Sequence, residues 1–360
     1  MKLPEGFKLP NSCTSSSREH LSIKLSKSLY GLKQSGRMWY NRLSEYLLKE
    51  GYKNDSICPC IFIKRSESEY VIISVYVDDL NIIGTPSELQ KAVECLKREY
   101  EMKDLGKTKF CLGLQIEHLK GGIVVHQQNY IEKLLRRFYM EKSHPLSTPM
   151  VVRSLDVEKD PFRPSNDGKE ILGPEVPYLS AIGALMFLAS HTRPNISFSV
   201  NLLARYSSCP TKRHWNGVKQ IFRYLQGTKD MGLYFTNQST TSLVGFADAG
   251  YFSDPHTGRS QTGYLFTSGG TAISWRSVKQ TITATSSNHA EILAIPEASR
   301  ECVWLRSVIQ HIRGSCGISM RDEGPIILHE DNAACIAQVK EGYIKGDQNE
   351  AHFTKVLFHT

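Results

Sequence analysis

Apolar positions in the first part of the chain switch from helical spacing to alternation and back again. Residues 37–50 (RMWYNRLSEYLLKE) place Trp39, Leu43, Tyr46 and Leu47 near one face of a predicted helix. Two β-like runs come next at 59–64 and 70–77, and a third at 80–84. Asp78-Asp79 lies between the last two, which predicts a tight hairpin with carboxylates at its tip. Thr85-Pro86-Ser87-Glu88 has the form of a capping box with proline at the first helical position, so a helix is predicted over 86–100. A second hairpin is predicted from 110–117 and 122–126 through Gly121-Gly122, then a helix over 128–138 carrying Lys133, Arg136 and Arg137.

Residues 143–175 are rich in Pro, Ser, Gly and charge and have no periodicity, which reads as a long connection. Apolar helices are predicted at 178–190, 195–207 and 212–226. The third is basic and carries Trp215 and Tyr224, which suits a nucleic-acid backbone and equally suits a solvated helix face. From 242 the pattern becomes strands at 243–247, 262–267 and 271–276, with turns at Asp254-Pro255 and Gly269-Gly270. A helix over 288–312, a strand over 325–330 and a helix over 332–341 complete a β-β-β-α-β-α order, a mixed α/β unit of about 120 residues.

With 360 residues, two domains or two and a fragment are expected. Apolar residues at 40 % and charged residues at 22 % exclude a disordered chain. The net charge of +8 favours an anionic partner such as nucleic acid. Met1 to Pro10 lacks the apolar stretch of a secretory signal, and the eight-residue run Tyr70 to Val77 is too short to span a bilayer. The expectation is an intracellular protein of the cytoplasm or nucleus, not secreted and with no membrane partner. The nine cysteines are scattered, and no C-x-x-C pair meets a spaced His pair, which argues against zinc and for reduced, mostly buried thiols.

Two clusters of residues carry a resemblance. The first is Ser28-Leu29-Tyr30-Gly31-Leu32-Lys33-Gln34-Ser35-Gly36-Arg37-Met38-Trp39-Tyr40, with Tyr76-Val77-Asp78-Asp79 downstream. It resembles the SLYGLKQ-x-x-R-x-W-Y segment and YVDD box of copia-type retrotransposon reverse transcriptases. The second is Gly245-Phe246-Ala247-Asp248-Ala249, Ser274-Trp275-Arg276-Ser277, Ser286-Ser287-Asn288-His289-Ala290-Glu291 and Glu330-Asp331-Asn332. These are similar to the signature segments of the RNase H domain in the same Pol polyproteins. Thr192-Arg193-Pro194-Asn195-Ile196 and His214-Trp215 match the region between them. No zinc knuckle of the C-x₂-C-x₄-H-x₄-C type and no D-[ST]-G triplet occurs, so no capsid or protease portion is expected.

The resemblance implies an α/β (mixed α+β) fold in three parts: a truncated reverse-transcriptase palm over 1–126, a helical thumb or connection over 127–235, and an RNase H-like mixed-sheet domain over 240–360, C-terminally truncated. It also implies two acidic sites. Both chemistries use paired divalent cations, Mg²⁺ or Mn²⁺, held by carboxylates, with no other small-molecule cofactor. Asp78 and Asp79 would be polymerase ligands. Family members need a further Asp from an earlier strand, and the chain opens at a stretch resembling the family's segment just after that strand. No polymerase activity is therefore expected, and apolar surface where missing strands would pack should be exposed. Asp248, at the end of the first strand, Glu291, in the first turn of the long helix, and Asp331, at the end of a later strand, would be the catalytic and metal-binding residues of the nuclease.

The substrate implied is an RNA/DNA hybrid, with Lys212, Arg213, Lys219, Arg259, Arg276 and Lys279 as candidate phosphate contacts or ordinary surface cations. Departures from the family pattern bear on activity. Gly36 stands where proline is usual. Pro296 lies five residues after Glu291 and is expected to tilt that side chain or end its helix early. Asn349-Glu350-Ala351-His352-Phe353 replaces a T-K-H-I segment, and the chain stops at Thr360, short of a last helix. The competing reading is a non-catalytic, degenerate remnant that at most binds nucleic acid.

Overall fold

The computed structural model describes residues 2–3, 5–7, 21–26, 28–29, 31–165, 171–237, 242–318, 325–341 and 357–359, the last three and residue 341 by backbone alone. The chain forms two compact units, Met1–Asp104 with Ile312–Ile318, and Leu105–His311 with Ser319–Thr360.

In the first unit the elements are α1 (Ser35–Lys49), β1 (Lys53–Asn54), β2 (Ile61–Ser66), β3 (Glu69–Tyr76), β4 (Asp79–Gly84) and α2 (Pro86–Glu99). The four strands pair in chain order as an antiparallel sheet. Alternation in β3 buries Val71, Ile73 and Val75, which pack with Leu43 and Leu47 of α1 and Ala92 and Leu96 of α2. Tyr76 pairs with Asp79, so Val77 and Asp78 form the two-residue tip and Asp79 opens β4. Tyr76, Val77, Ile83 and Met38 are exposed apolar residues of this unit.

The capping box predicted at Thr85 does not form. Thr85 is the N-cap of α2, but its amide donates to the Tyr70 carbonyl at 3.0 Å, leaving Glu88 no donor to reach back to. Glu88 is instead buried and bonded to Lys91 at 2.7 Å.

The second unit begins with β5 (Phe110–Cys111), β6 (Leu114–Leu119), β7 (Gly122–His126) and α3 (Gln128–Arg137). The single strand predicted over 110–117 is broken, because Leu112 and Gly113 take positive φ angles of 51° and 80° and fold β5 back onto β6. Next come α4 (Tyr178–His191), a 3-10 turn at Pro194–Ile196, α5 (Ser197–Ala204), α6 (Lys212–Gly227) and β8 (Leu233–Thr236). β8, unpredicted, extends the β5-β6-β7 sheet by pairing with β7. Ile131, Leu135, Leu185, Leu188, Leu203 and Phe222 form the centre of the helical core. The predicted connection has no helix or strand among its described residues 143–165 and 171–175, yet Asp160 within it is fully buried.

The last sheet contains β9 (Leu243–Asp254), β10 (Arg259–Ser268), β11 (Thr271–Lys279), β12 (Ile327–His329) and β13 (Leu357–His359), in the order β11-β10-β9-β12-β13. The first three are antiparallel, and β12 and β13 join in parallel. The helices are α7 (Ser287–Cys316) and α8 (Ala333–Glu341). Gly245 sits where a Cβ would run into the Phe266 ring and Leu328, so only glycine lets these residues close over β9.

Two predictions fail here for physical reasons. β9 is 12 residues long and not five, so Asp248 lies in mid-strand and not at its end. Past residue 247 its buried positions are Ala249 and Asp254, one too small and one too polar to register as an apolar strand. Pro296 does not end α7, which runs through it. The ring is exposed, and buried Ala290, Ala294, Ala298 and Cys302 hold the helix on both sides. The segment 349–353 lies outside the described residues. The eight described cysteines are free thiols, and four of them, not most, are buried.

Candidate metal centre

Three elements of the second unit bring the acidic side chains together. Asp248 projects from β9 on its exposed side, between buried Ala247 and Ala249. Glu291 is the fifth residue of α7, just past the first turn in which it was expected, and Ala290 and Ala294 press this part of the helix against Ala249 of the strand. Asp331 lies between β12 and α8, where the Asn332 side chain caps the helix by accepting from the Cys335 amide at 3.0 Å. One carboxylate oxygen from each of Asp248, Glu291 and Asp331 lies within 4.8 Å of the other two. They are 43 and 40 residues apart in the chain.

The two aspartates are exposed, while Glu291 is only 6 % exposed. β12 pairs with β9 only over Val244–Phe246, and past that point the Ala249 amide donates to the Glu291 carboxylate. Burial, then the charges of Glu330, Asp248 and Asp331, push the Glu291 carboxyl up to about 8. Its Oε2 atom is buried with no hydrogen-bond partner. A buried carboxylate oxygen left unpaired among other carboxylates costs free energy that a cation removes. The donor set is hard oxygen, as Mg²⁺ or Mn²⁺ prefers.

Glu330 is a participant that the sequence reading passed over, although it stands within a quoted motif. It is 4 % exposed, accepts from the Asn332 amide at 3.2 Å, and also leaves Oε2 buried and unpartnered. Burial holds its carboxyl above the usual range. Its position beside Asp331 was the available signal. Only the fold shows that it faces inward.

The other acidic pair is placed differently. Asp78 and Asp79 are exposed at the β3–β4 hairpin, and among the described residues neither belongs to a cluster of three potential metal ligands. The tip is braced from α1 by Trp39, whose indole donates to the Val77 carbonyl at 2.8 Å.

Several of the candidate phosphate contacts meet partners within the protein. Arg259 donates to the carbonyls of Gln280 and Thr281, Arg276 meets Glu297 at 3.2 Å, and Lys279 meets Asp254 at 3.4 Å. On α6, Lys212 is exposed, and Arg213 and Lys219 are half-buried. His214 of this basic helix is structural. Nδ1 accepts from the Thr211 amide at 3.0 Å, so Nε2 carries the proton and donates to the Phe162 carbonyl at 3.0 Å.

Comparison with known proteins agrees with these motifs. Residues 1–152 match the family model described as reverse transcriptase (RNA-dependent DNA polymerase). The chain is 37 % identical over 316 residues to the retrovirus-related Pol polyprotein from transposon TNT 1-94 of Nicotiana tabacum, covering 87 % of this chain and 23 % of that protein. It is 30 % and 31 % identical over 360 residues to the retrovirus-related Pol polyproteins from transposons RE2 and RE1 of Arabidopsis thaliana, covering 99 % of this chain and 23 % of each. The chain thus spans under a quarter of the length of these relatives.

Proposed function

Because this chain belongs to the Pol polyprotein family of copia-type retrotransposons, for which nucleic-acid binding is implied, we propose that residues 240–360 are an RNase H-like domain. Its proposed reaction is divalent-metal-dependent hydrolysis of the RNA strand in RNA/DNA hybrids. The observation that carries this reading is the approach, within 4.8 Å, of three carboxylates from a strand, a helix and a loop far apart in sequence. The strand order supports it, with an antiparallel β9-β10-β11 meander extended by parallel β12 and β13. Residues 1–126 are read as reverse-transcriptase palm and 127–235 as thumb or connection. Among the described residues no helix is long and apolar enough to cross a membrane.

Asp248, Glu291 and Asp331 would hold the cations, and divalent cations there would supply Lewis acidity toward a phosphate and an acidified water. The protein's own part is positioning. The Ala249 amide fixes the Glu291 carboxylate at the edge of β9, and the Asn332 cap fixes the backbone from which Asp331 projects. Glu330 adds negative charge from behind. At the hairpin, Asp78 and Asp79 offer two carboxylates without a third among the described residues, so a polymerase centre would need a ligand from outside the described residues.

The test is cleavage of end-labelled RNA in a hybrid with Mg²⁺ or Mn²⁺, beside Asp248→Asn, Glu291→Gln and Asp331→Asn. Cleavage by the wild type, lost in each variant, is the expected result. Intact RNA under all conditions overturns the nuclease, and salt-sensitive binding without cleavage leaves the non-catalytic remnant. Primer extension on an RNA template by these 360 residues would contradict the expected absence of polymerase activity.

A further inference from the structure

Beside the carboxylates, the sheet carries an aromatic pair to which no role has been given. Phe246 of β9 and His329 of β12 occupy the same register of the parallel ladder. Their rings are stacked, with centroids 5.0 Å apart and planes inclined by 18°. Phe246 is 43 % exposed, although its cross-strand neighbour Leu265 on β10 is partly covered. A stacked pair at a sheet surface contributes packing to the fold, but it also leaves a planar apolar surface in water.

The position of the pair is what gives it meaning. Phe246 precedes Asp248 by two residues and so shares its face of β9, about 7 Å away along the strand. His329 likewise precedes Asp331 by two residues. The two rings therefore border the carboxylates from the two strands that lead into them.

We propose that Phe246 and His329 form a stacking platform for an unpaired nucleobase in the strand that the carboxylates engage. Two parallel rings are a stack that a third planar ring extends, and any base provides such a ring irrespective of sequence. A base inside the hybrid has both faces covered by its neighbours. The base taken up is therefore one at a single-stranded flank of the hybrid. The imidazole adds a ring nitrogen able to meet the adjoining phosphate or sugar. The substrate class is accordingly a hybrid continued by single-stranded RNA, not a blunt hybrid. This inference rests on the carboxylates being the nuclease centre, since that is what brings the strand to the platform.

The experiment measures binding in EDTA, where no cleavage occurs, by anisotropy of labelled hybrids that are blunt or carry a single-stranded RNA flank. Phe246→Ala and His329→Ala should each weaken binding of the flanked hybrid by roughly 10-fold and leave the blunt hybrid unchanged. Phe246→Trp should retain it. With 2-aminopurine in the flank, the wild type should quench its fluorescence and Phe246→Ala should not. Thermal melting of each variant separates a lost contact from a lost fold. Equal affinity of wild type and well-folded Phe246→Ala for the flanked hybrid overturns the platform, as does equal weakening on both substrates. Loss of cleavage in Asp248→Asn is scored separately. Wild-type cleavage with no effect of Phe246→Ala on binding sinks the platform alone. Flank-dependent binding without any cleavage sinks the nuclease reading and leaves a binding platform.

Discussion

The indole nitrogen of Trp39 donates to the carbonyl oxygen of Val77 across 2.8 Å, joining residues 38 positions apart. One belongs to the SLYGLKQ-type segment and the other to the YVDD box, so the two motifs meet as a brace and the hairpin it braces. Trp39 also sets its ring edge-on to Tyr100 at 5.1 Å. Trp39→Phe keeps the ring and removes the donor. Because the bond is exposed and water can replace it, the expected cost is about 0.5–1 kcal/mol in urea unfolding. A loss above about 3 kcal/mol would mean the indole does more than brace the tip.

Val77 holds φ at 52°, a conformation that a β-branched residue adopts at a cost. Val77→Gly removes the Cβ clash and should raise stability by about 1 kcal/mol, read as a higher melting temperature. An unchanged or lower melting temperature would show that the tip is relaxed as it stands.

Pro296 leaves the Ile292 carbonyl of α7 without its helical donor while its own ring faces solvent. Pro296→Ala restores the bond without removing buried contacts. Stability should rise by about 1–3 kcal/mol, and Mn²⁺ affinity measured by calorimetry should stay within about twofold, since Glu291 is already seated. A large change in affinity would show that the proline does steer Glu291.

Asp160 is fully buried between the Arg153 guanidinium, at 2.6 Å, and His256, at 2.9 Å. Burial alone would raise its carboxyl. The bonds from Arg153, the Phe162 amide and His256 more than offset this and hold it below the ordinary value of 3.8. The folded-state pKa is thus depressed, so the stabilisation is present above 3.8 and is lost as pH falls through the folded value. Asp160→Asn should cost about 3–5 kcal/mol near neutral pH and flatten the acid limb of the unfolding profile. An unaltered acid limb would put the acid sensitivity elsewhere.

Glu291 titrates in the opposite sense. Its folded-state pKa, about 8 against an ordinary 4.5, means that metal-free protein loses stability as pH rises from 4.5 to about 8. The loss is on the order of a few kcal/mol. Glu291→Gln should abolish this slope, and Mn²⁺ should restore the wild type at pH 8 but not the variant. Equal slopes for wild type and variant in EDTA would rule out the crowding of carboxylates around Glu291.

Local chemistry alone specified much of this protein. The period of apolar residues located α1, β3, α4, α6 and the β10–β11 hairpin close to their observed bounds, and the proline-bearing start signal at 85–88 located α2, because each pattern depends on neighbours in the chain. The motifs also named Asp248, Glu291 and Asp331. What they could not carry was distance in space. That three carboxylates 43 and 40 residues apart fall within 4.8 Å depends on α7 packing against β9 and on β12 pairing beside it. The same holds for the burial of Asp160 and Glu330, which nothing in their local sequence marks. Asp160 is buried with a partner from 96 residues away, and Glu330 because the turn before α8 faces inward. The break at Leu112 and the added strand β8 were hidden for the same reason, since a short strand is stabilised by the ladder it joins and leaves little periodicity of its own.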